Sequence, residues 1–262
     1  MKKLLIATYA MASYAVGMGA LCYLMLFLQN LWVPKTVDSG ATPVLEVALL
    51  ANLVSLIIYL TLHSVMARPW FKNWWTRCVP PALERSTYIL ISGTTLFLLI
   101  LLWQPLTVTV WETDSAIAKG AIYALYALGW LIMVSATFQI DHFSFFGLRQ
   151  AWNWMMRRAP GPTTFTARYL YGVTRHPISL GWLVVFWSTP HMTLGHLLMA
   201  LVCSVYIFIV TPIEEADLIR ELGDSYVAYR KRVPAFIPLP RGSGAGRVKT
   251  PTSYRNKQGS SA

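Results

Sequence analysis

Charge is scarce in this sequence, and acid is scarcer than base. Only 13% of the 262 residues are Asp, Glu, Lys or Arg, against roughly 25% in an ordinary soluble domain. Eleven are acidic and 22 basic, for a net charge of +11, while 55% of the chain is hydrophobic. Charges and apolar residues also fall in separate blocks, so a soluble domain with a charged shell is excluded. Cysteine is nearly absent. Cys22, Cys78 and Cys203 lie in or beside apolar stretches with no metal-like spacing, which argues against a disulfide framework or a bound metal.

What the sequence has instead is apolar length. A helix crossing a ~30 Å hydrocarbon core needs about 20 residues. Four runs qualify, roughly Leu4 to Leu28, Val44 to Met66, Thr87 to Trp103 and Gly120 to Ile140. A fifth region, from Pro177 to Thr211, is interrupted at Pro190 and His191 and reads as a hairpin of one short and one normal helix. The expectation is an all-α polytopic membrane bundle of about six crossings. Lys2 and Lys3 ahead of an apolar stretch suit a signal peptide, but a signal h-region is about 7–15 residues. This run continues to Leu28, so a retained helix is expected.

The basic residues sort by loop. Lys35 and Lys119 stand with Asp38, Glu112 and Asp114 after the first and third helices. Arg68, Lys72, Arg77 and Arg85 follow the second, while Arg149, Arg157, Arg158, Arg168 and Arg175 follow the fourth. This asymmetry puts both termini in the cytoplasm, with a bacterial-type inner membrane as the expected location. The positive balance is then a topology signal with some attraction to anionic head groups, and nucleic acid is not expected as a partner.

Ala15, Gly17, Gly19 and Ala20 give the first helix a small-residue face for close packing. Trp32, Trp103 and Trp111 mark one expected interface; Trp70, Trp74, Trp75, Trp152 and Trp154 mark the other. His63 lies inside the second apolar run, about one turn before Arg68, where an ionisable group faces a bundle interior or a wet cavity. The fourth run leaves the bilayer through Asp141 and His142, followed by Gly147 and Arg149. A carboxylate beside an imidazole raises its basicity and suits it to accept a proton, although adjacent helical residues do not face each other. Trp152, Met155 and Met156 fit one face of a short interfacial helix, with Arg157 and Arg158 toward phosphates.

The most informative stretch runs from Tyr169 to Pro240. Proline is favoured at the first helical position and pushes its predecessor out of the helical region. A helix therefore starts at Pro177, after Arg175 and His176, and its free amide hydrogens suit a carboxylate. Gly181, one turn on, allows a ligand or helix to approach. The second arm of the hairpin passes Pro212 to Glu214 and Glu215 and is expected to end at Leu222, with Gly223 as its cap. The two acids could hold an ammonium group or ribose hydroxyls, or pair with Arg220 or Arg230. Tyr226, Tyr229, Val233, Pro234 and Phe236, with Tyr169 and Tyr171 upstream, offer aromatic and apolar surface for a flat heterocycle. Beyond Arg241 a Gly-, Ser- and Lys-rich tail has too little apolar content to order itself. One domain over residues 1–240 is expected, with the cofactor part at about 135–240.

The set of Arg175-His176-Pro177, Gly181, Glu214-Glu215 and the Tyr226 to Pro238 segment resembles the isoprenylcysteine carboxyl methyltransferase superfamily. Within it, His63 to Arg68, Ser135 to Phe143 and Phe146 to Gln150 resemble the membrane-bound methanethiol S-methyltransferases. The resemblance implies S-adenosylmethionine bound in a cytoplasm-facing pocket of the C-terminal region, in contact with Tyr169, Tyr171, Arg175, His176, Pro177, Gly181, Glu214, Glu215, Tyr226, Tyr229, Arg230, Pro234 and Phe236. It implies methanethiol as acceptor and dimethyl sulfide as product. The thiolate is the nucleophile, so a base is needed: His142 oriented by Asp141 is the first candidate and His63 the second, with Arg149 as an anion stabiliser. The alternatives are a methyltransferase for a prenylcysteine carboxylate or a lipid amine, and a non-catalytic membrane assembly factor.

Overall fold

The computed structural model of the chain describes residues 1–41, 43–159 and 166–237. The expected basic tail lies outside them. The helices in chain order are α1 (Lys2–Leu28), α2 (Leu45–Met66), α3 (Pro69–Trp75) and α4 (Pro81–Leu102). Strand β1 (Thr109–Glu112) precedes α5 (Ala116–Ile140) and the short α6 (His142–Phe145), α7 (Leu148–Met155) and α8 (Leu170–Val173). The hairpin is α9 (Pro177–Trp187), β2 (His191–Thr193) and α10 (Leu194–Leu222), followed by α11 (Asp224–Arg232). Among the described residues, α1, α2, α4, α5 and α10 are long and apolar enough to cross a membrane.

The expected sixth crossing is shorter than a full span. At 11 residues, α9 is about 17 Å long, well under a ~30 Å core. The reason is the break that follows it. Strand β2 pairs antiparallel with β1, a small sheet that periodicity did not reveal. Gln29 Nε2 donates to the Ser188 carbonyl at 2.9 Å, and Thr193 Oγ1 donates to Asp38 Oδ1 at 2.6 Å. These ties draw the hairpin turn into the less basic end of the bundle, so fewer helical residues are needed to reach it.

Two close helix contacts set the frame. At α1–α4, a Cβ added to Gly93 would lie 2.9 Å from the Gly17 Cα, so only glycines permit this approach. At α5–α9, a Cβ on Gly181 would lie 2.7 Å from the Gly129 carbonyl oxygen and 2.4 Å from Met133 Cγ. Gly181 therefore serves the neighbouring helix. Gly93→Ala is expected to lower the thermal midpoint in detergent, as overpacking costs ~1–3 kcal/mol. Gly120→Ala, whose Cβ would meet nothing within 4 Å, is the matched control; equal midpoints would contradict this packing.

Further pairs, α2 on α4, α10 on α2 and α9 on α10, carry the ring round from α1 to α5. Between α1 and α5 the ring is closed by hydrogen bonds. Tyr126 donates its hydroxyl to the Met25 carbonyl at 2.7 Å, and Tyr14 meets His142 at the basic end.

Candidate functional site

Inside this ring lies a cavity of about 350 Å³, walled by the five long helices and by α9. Among the described residues, none lining it is Asp, Glu, Lys or Arg. Its deep part is apolar and aromatic, with Trp130, Trp182, Phe186 and Met199; its basic end carries His63, Tyr88, Ser92, His142 and Tyr206. Two imidazoles far apart in sequence thus face one uncharged chamber.

His142 is buried and engaged at both nitrogens. Its Nδ1 lies 2.9 Å from Thr137 Oγ1, and its Nε2 lies 3.0 Å from the Tyr14 hydroxyl. Thr137 gives its single hydroxyl proton to the Val134 carbonyl at 2.8 Å, so toward His142 it can only accept. Neutral His142 therefore carries its proton on Nδ1 and keeps the Nε2 lone pair, to which Tyr14 donates. The ring stacks on Phe138 at 4.4 Å, which fixes its plane. Burial holds His142 below the ordinary histidine range, against an opposing effect of the Asp141 charge.

Asp141 does not orient this ring through a hydrogen bond, which corrects the expected pairing. Its φ of 93° turns the carboxylate outward, where Oδ1 accepts the Ser144 amide at 3.1 Å and Oδ2 meets Arg149 Nε at 2.6 Å. Asp141 thereby caps α6 and ends α5, a turn short polar residues tolerate. Arg149 pairs there and lines a separate groove, so it is not positioned to stabilise an anion in the chamber. The α6–α7 turn is pinned to α4, with Arg85 Nε donating to the Phe145 carbonyl at 2.6 Å and Gly147 seated against Ser86. His63 faces the same chamber, its Nε2 3.0 Å from the Tyr88 hydroxyl and its Nδ1 3.3 Å from Ser92 Oγ.

The helix expected at Pro177 begins there. Just before it, Arg175 and His176 converge on Glu215, which is almost fully buried. Glu215 Oε1 accepts from Arg175 Nε at 2.7 Å and meets His176 Nε2 at 3.1 Å, and Oε2 forms an ion pair with Arg230 Nε at 3.1 Å. Arg175 also donates to the Arg230 and Val233 carbonyls. The Arg175 and His176 amides bond to the carbonyls of Pro234 and Ala235 at 2.9 and 3.1 Å. The motif is thus a clasp tying the segment after α11 to the start of α9. Burial lowers the His176 pKa against the raising effect of Glu215.

Glu214 turns the other way, 3.7 Å from Arg68 NH2 and about 40% exposed, while Arg68 NH1 makes a 2.8 Å bond to Asp217. Tyr226 and Tyr229 are buried with Val233 against Leu218, Ile219 and Leu222, and Tyr229 donates to the Tyr171 carbonyl at 2.6 Å. They fasten α11 and offer little free surface. Burial raises the Tyr171 hydroxyl to about 12, keeping it neutral. Tyr169 is exposed, and Phe236 packs near His176 and Phe208. Tyr14, Thr137, Tyr88 and Tyr206 are the functional candidates that motif reading passed over; their signal was a hydroxyl set within an apolar helical run.

Comparison with known proteins gives several near relatives, among them the following three. A Bradyrhizobium diazoefficiens protein named methanethiol S-methyltransferase 2 is 44% identical over 236 residues, covering 90% of this chain and 91% of its own. A Mycobacterium tuberculosis methanethiol S-methyltransferase is 42% identical over 240 residues, covering 92% and 98%. One from Crocosphaera subtropica is 40% identical over 231 residues, covering 88% and 91%. No family model matches the chain, and no solved structure does.

Proposed function

The chain belongs to the methanethiol S-methyltransferases, and from that premise we propose that it methylates methanethiol to dimethyl sulfide with S-adenosylmethionine, at the cytoplasmic face of an inner membrane. The observation that carries the reading is the uncharged aromatic chamber with two imidazoles at its basic end. Its ~350 Å³ is at the small end of ligand sites and suits a small thiol better than a prenyl chain or a lipid amine. The positive-inside asymmetry supports the cytoplasmic assignment, and residues 1–240 act as one methyltransferase domain.

The donor set fits the cofactor. A chamber without Lys or Arg in its lining leaves a sulfonium free of like charge, and aromatic faces attract cations. Tyr169, Tyr171, His176, Glu214 and Phe236 are assigned direct contact with the cofactor, together with the first-turn amides of α9. Arg175, Pro177, Gly181, Glu215, Tyr226, Tyr229, Arg230 and Pro234 hold that rim in place. When bound, S-adenosylmethionine supplies an electrophilic methyl group whose transfer to thiolate sulfur leaves two neutral thioethers.

The remaining work belongs to the chain. His142 Nε2 takes the thiol proton, directly or through the Tyr14 hydroxyl that hydrogen-bonds to it. Thr137 keeps the ring in the tautomer that can accept. The apolar walls exclude water, which favours a step in which opposite charges disappear. The test is purified protein supplied with S-adenosylmethionine and methanethiol, with headspace dimethyl sulfide measured against time. Sustained, protein-dependent product is expected. Product at the level of protein-free buffer, or labelling of a prenylcysteine or lipid amine in its place, would overturn the reading.

A further inference from the structure

A second groove lies outside the helical ring, between the first turns of α1, Phe143 and the interfacial helix α7. It encloses about 520 Å³ and is floored by Ala7, Met11, Phe143 and Trp152, with Arg149 and Arg158 also in its lining. Among the described residues, no acidic residue lines it. Arg149 spends only its Nε on Asp141 among the described residues, and 53% of its side chain remains exposed. Lys3 stands four residues before Ala7 on the same face of α1 and is exposed. Trp152 and Trp154, both half-exposed, set the depth of α7 at the membrane surface. The chemistry is thus graded: apolar floor toward the hydrocarbon, indoles at the boundary, and three cations at the head-group level.

We propose that this groove binds one anionic glycerophospholipid, its phosphate held by Arg149 and Arg158 near Lys3 and its chains laid over Met11, Ala7 and Phe143. Two features select that occupant. The rim is cationic with no acid in the lining, so an anionic head group is complementary where a zwitterionic one gains nothing net. The floor is open, apolar and at membrane depth, where a soluble phosphate has no partner for its lower half. Basic pockets of this kind between membrane helices take anionic head groups. Since α7 follows directly on α6, an occupied groove also steadies the turn that carries His142.

The test uses the full chain in a mild detergent, titrated with phosphatidylglycerol or phosphatidylcholine of the same acyl chains and read by native mass spectrometry. One saturable phosphatidylglycerol per chain is expected, retained to higher collision energy than phosphatidylcholine. Arg158→Ala should weaken it about fivefold, the effect of one interfacial cation, and Arg158→Glu should weaken it further. Arg77→Ala removes an exposed charge from the same end of the bundle but outside the groove, and should leave retention unchanged. Circular dichroism of each variant confirms the fold. Equal retention of the two lipids, an unchanged adduct in Arg158→Ala, or an equal loss in Arg77→Ala would each overturn the proposal. The same titration with inorganic phosphate separates the sources, since phosphate competing away the adduct at millimolar level would show that no lipid chains are recognised.

Discussion

Replacing His142 with alanine is expected to lower kcat/KM for methanethiol by about 10²–10⁴-fold, the contribution of a positioned general base, while cofactor affinity stays within a few-fold. The expectation follows from the two hydrogen bonds of the ring. Thr137 can only accept from Nδ1, so the lone pair is at Nε2, on the Tyr14 side. Burial lowers the His142 pKa, so the neutral, accepting form persists to more acidic pH than for a free histidine. The acidic limb of the pH profile of kcat/KM should therefore fall below about 6.5, the ordinary histidine value. Tyr14→Phe removes a donor that favours the neutral ring, so it should move this limb to higher pH. His63→Ala should keep most activity. A His63→Ala enzyme as impaired as His142→Ala would show that the two imidazoles share the proton, and a fully active His142→Ala enzyme would remove His142 from the mechanism.

Apolar length and charge asymmetry were legible in the sequence because both are properties of whole segments, which averaging over about 20 residues brings out. The start at Pro177 and the cap at Gly223 were legible because proline fixes its own φ and glycine takes the positive φ of a helix end without steric cost. The short α9 was half legible: the break at Pro190-His191 was visible, its strand pairing with β1 was not, because three-residue strands carry no period. Site chemistry was least legible where it crosses helices. Asp141 and His142 are neighbours in the chain, yet one φ of 93° sends one to Arg149 and leaves the other with a tyrosine 128 positions earlier. Gly17 to Gly93 is a contact between helices, and nothing local in either run names its partner. Glu214 and Glu215 show the same limit, since on a helix consecutive side chains point about 100° apart and two acids read as a pair serve different walls.

That divergence gives the second large effect. Glu215→Ala is expected to destabilise the protein by ~3–5 kcal/mol, the cost of breaking a buried ion pair by removing one partner. The basis is geometric: the carboxylate is 4% exposed and satisfies Arg175, His176 and Arg230 together. Without it Arg175 keeps its carbonyl acceptors but loses its counter-charge, and the clasp between α9 and the segment after α11 loosens. Cofactor binding should fall with stability, because the rim residues His176 and Phe236 lie on either side of that clasp. Glu214→Gln should behave otherwise. Its carboxylate is about 40% exposed and 3.7 Å from Arg68, and such a pair is worth ~1 kcal/mol or less. The midpoint should barely move, while KM for S-adenosylmethionine should rise, because Glu214 is assigned direct contact with the cofactor. Thermal unfolding in detergent and titration of cofactor on both variants separate the clasp from the contact. A Glu215→Ala protein as stable as its parent would mean the Arg175-His176-Pro177 turn is held by its backbone bonds alone.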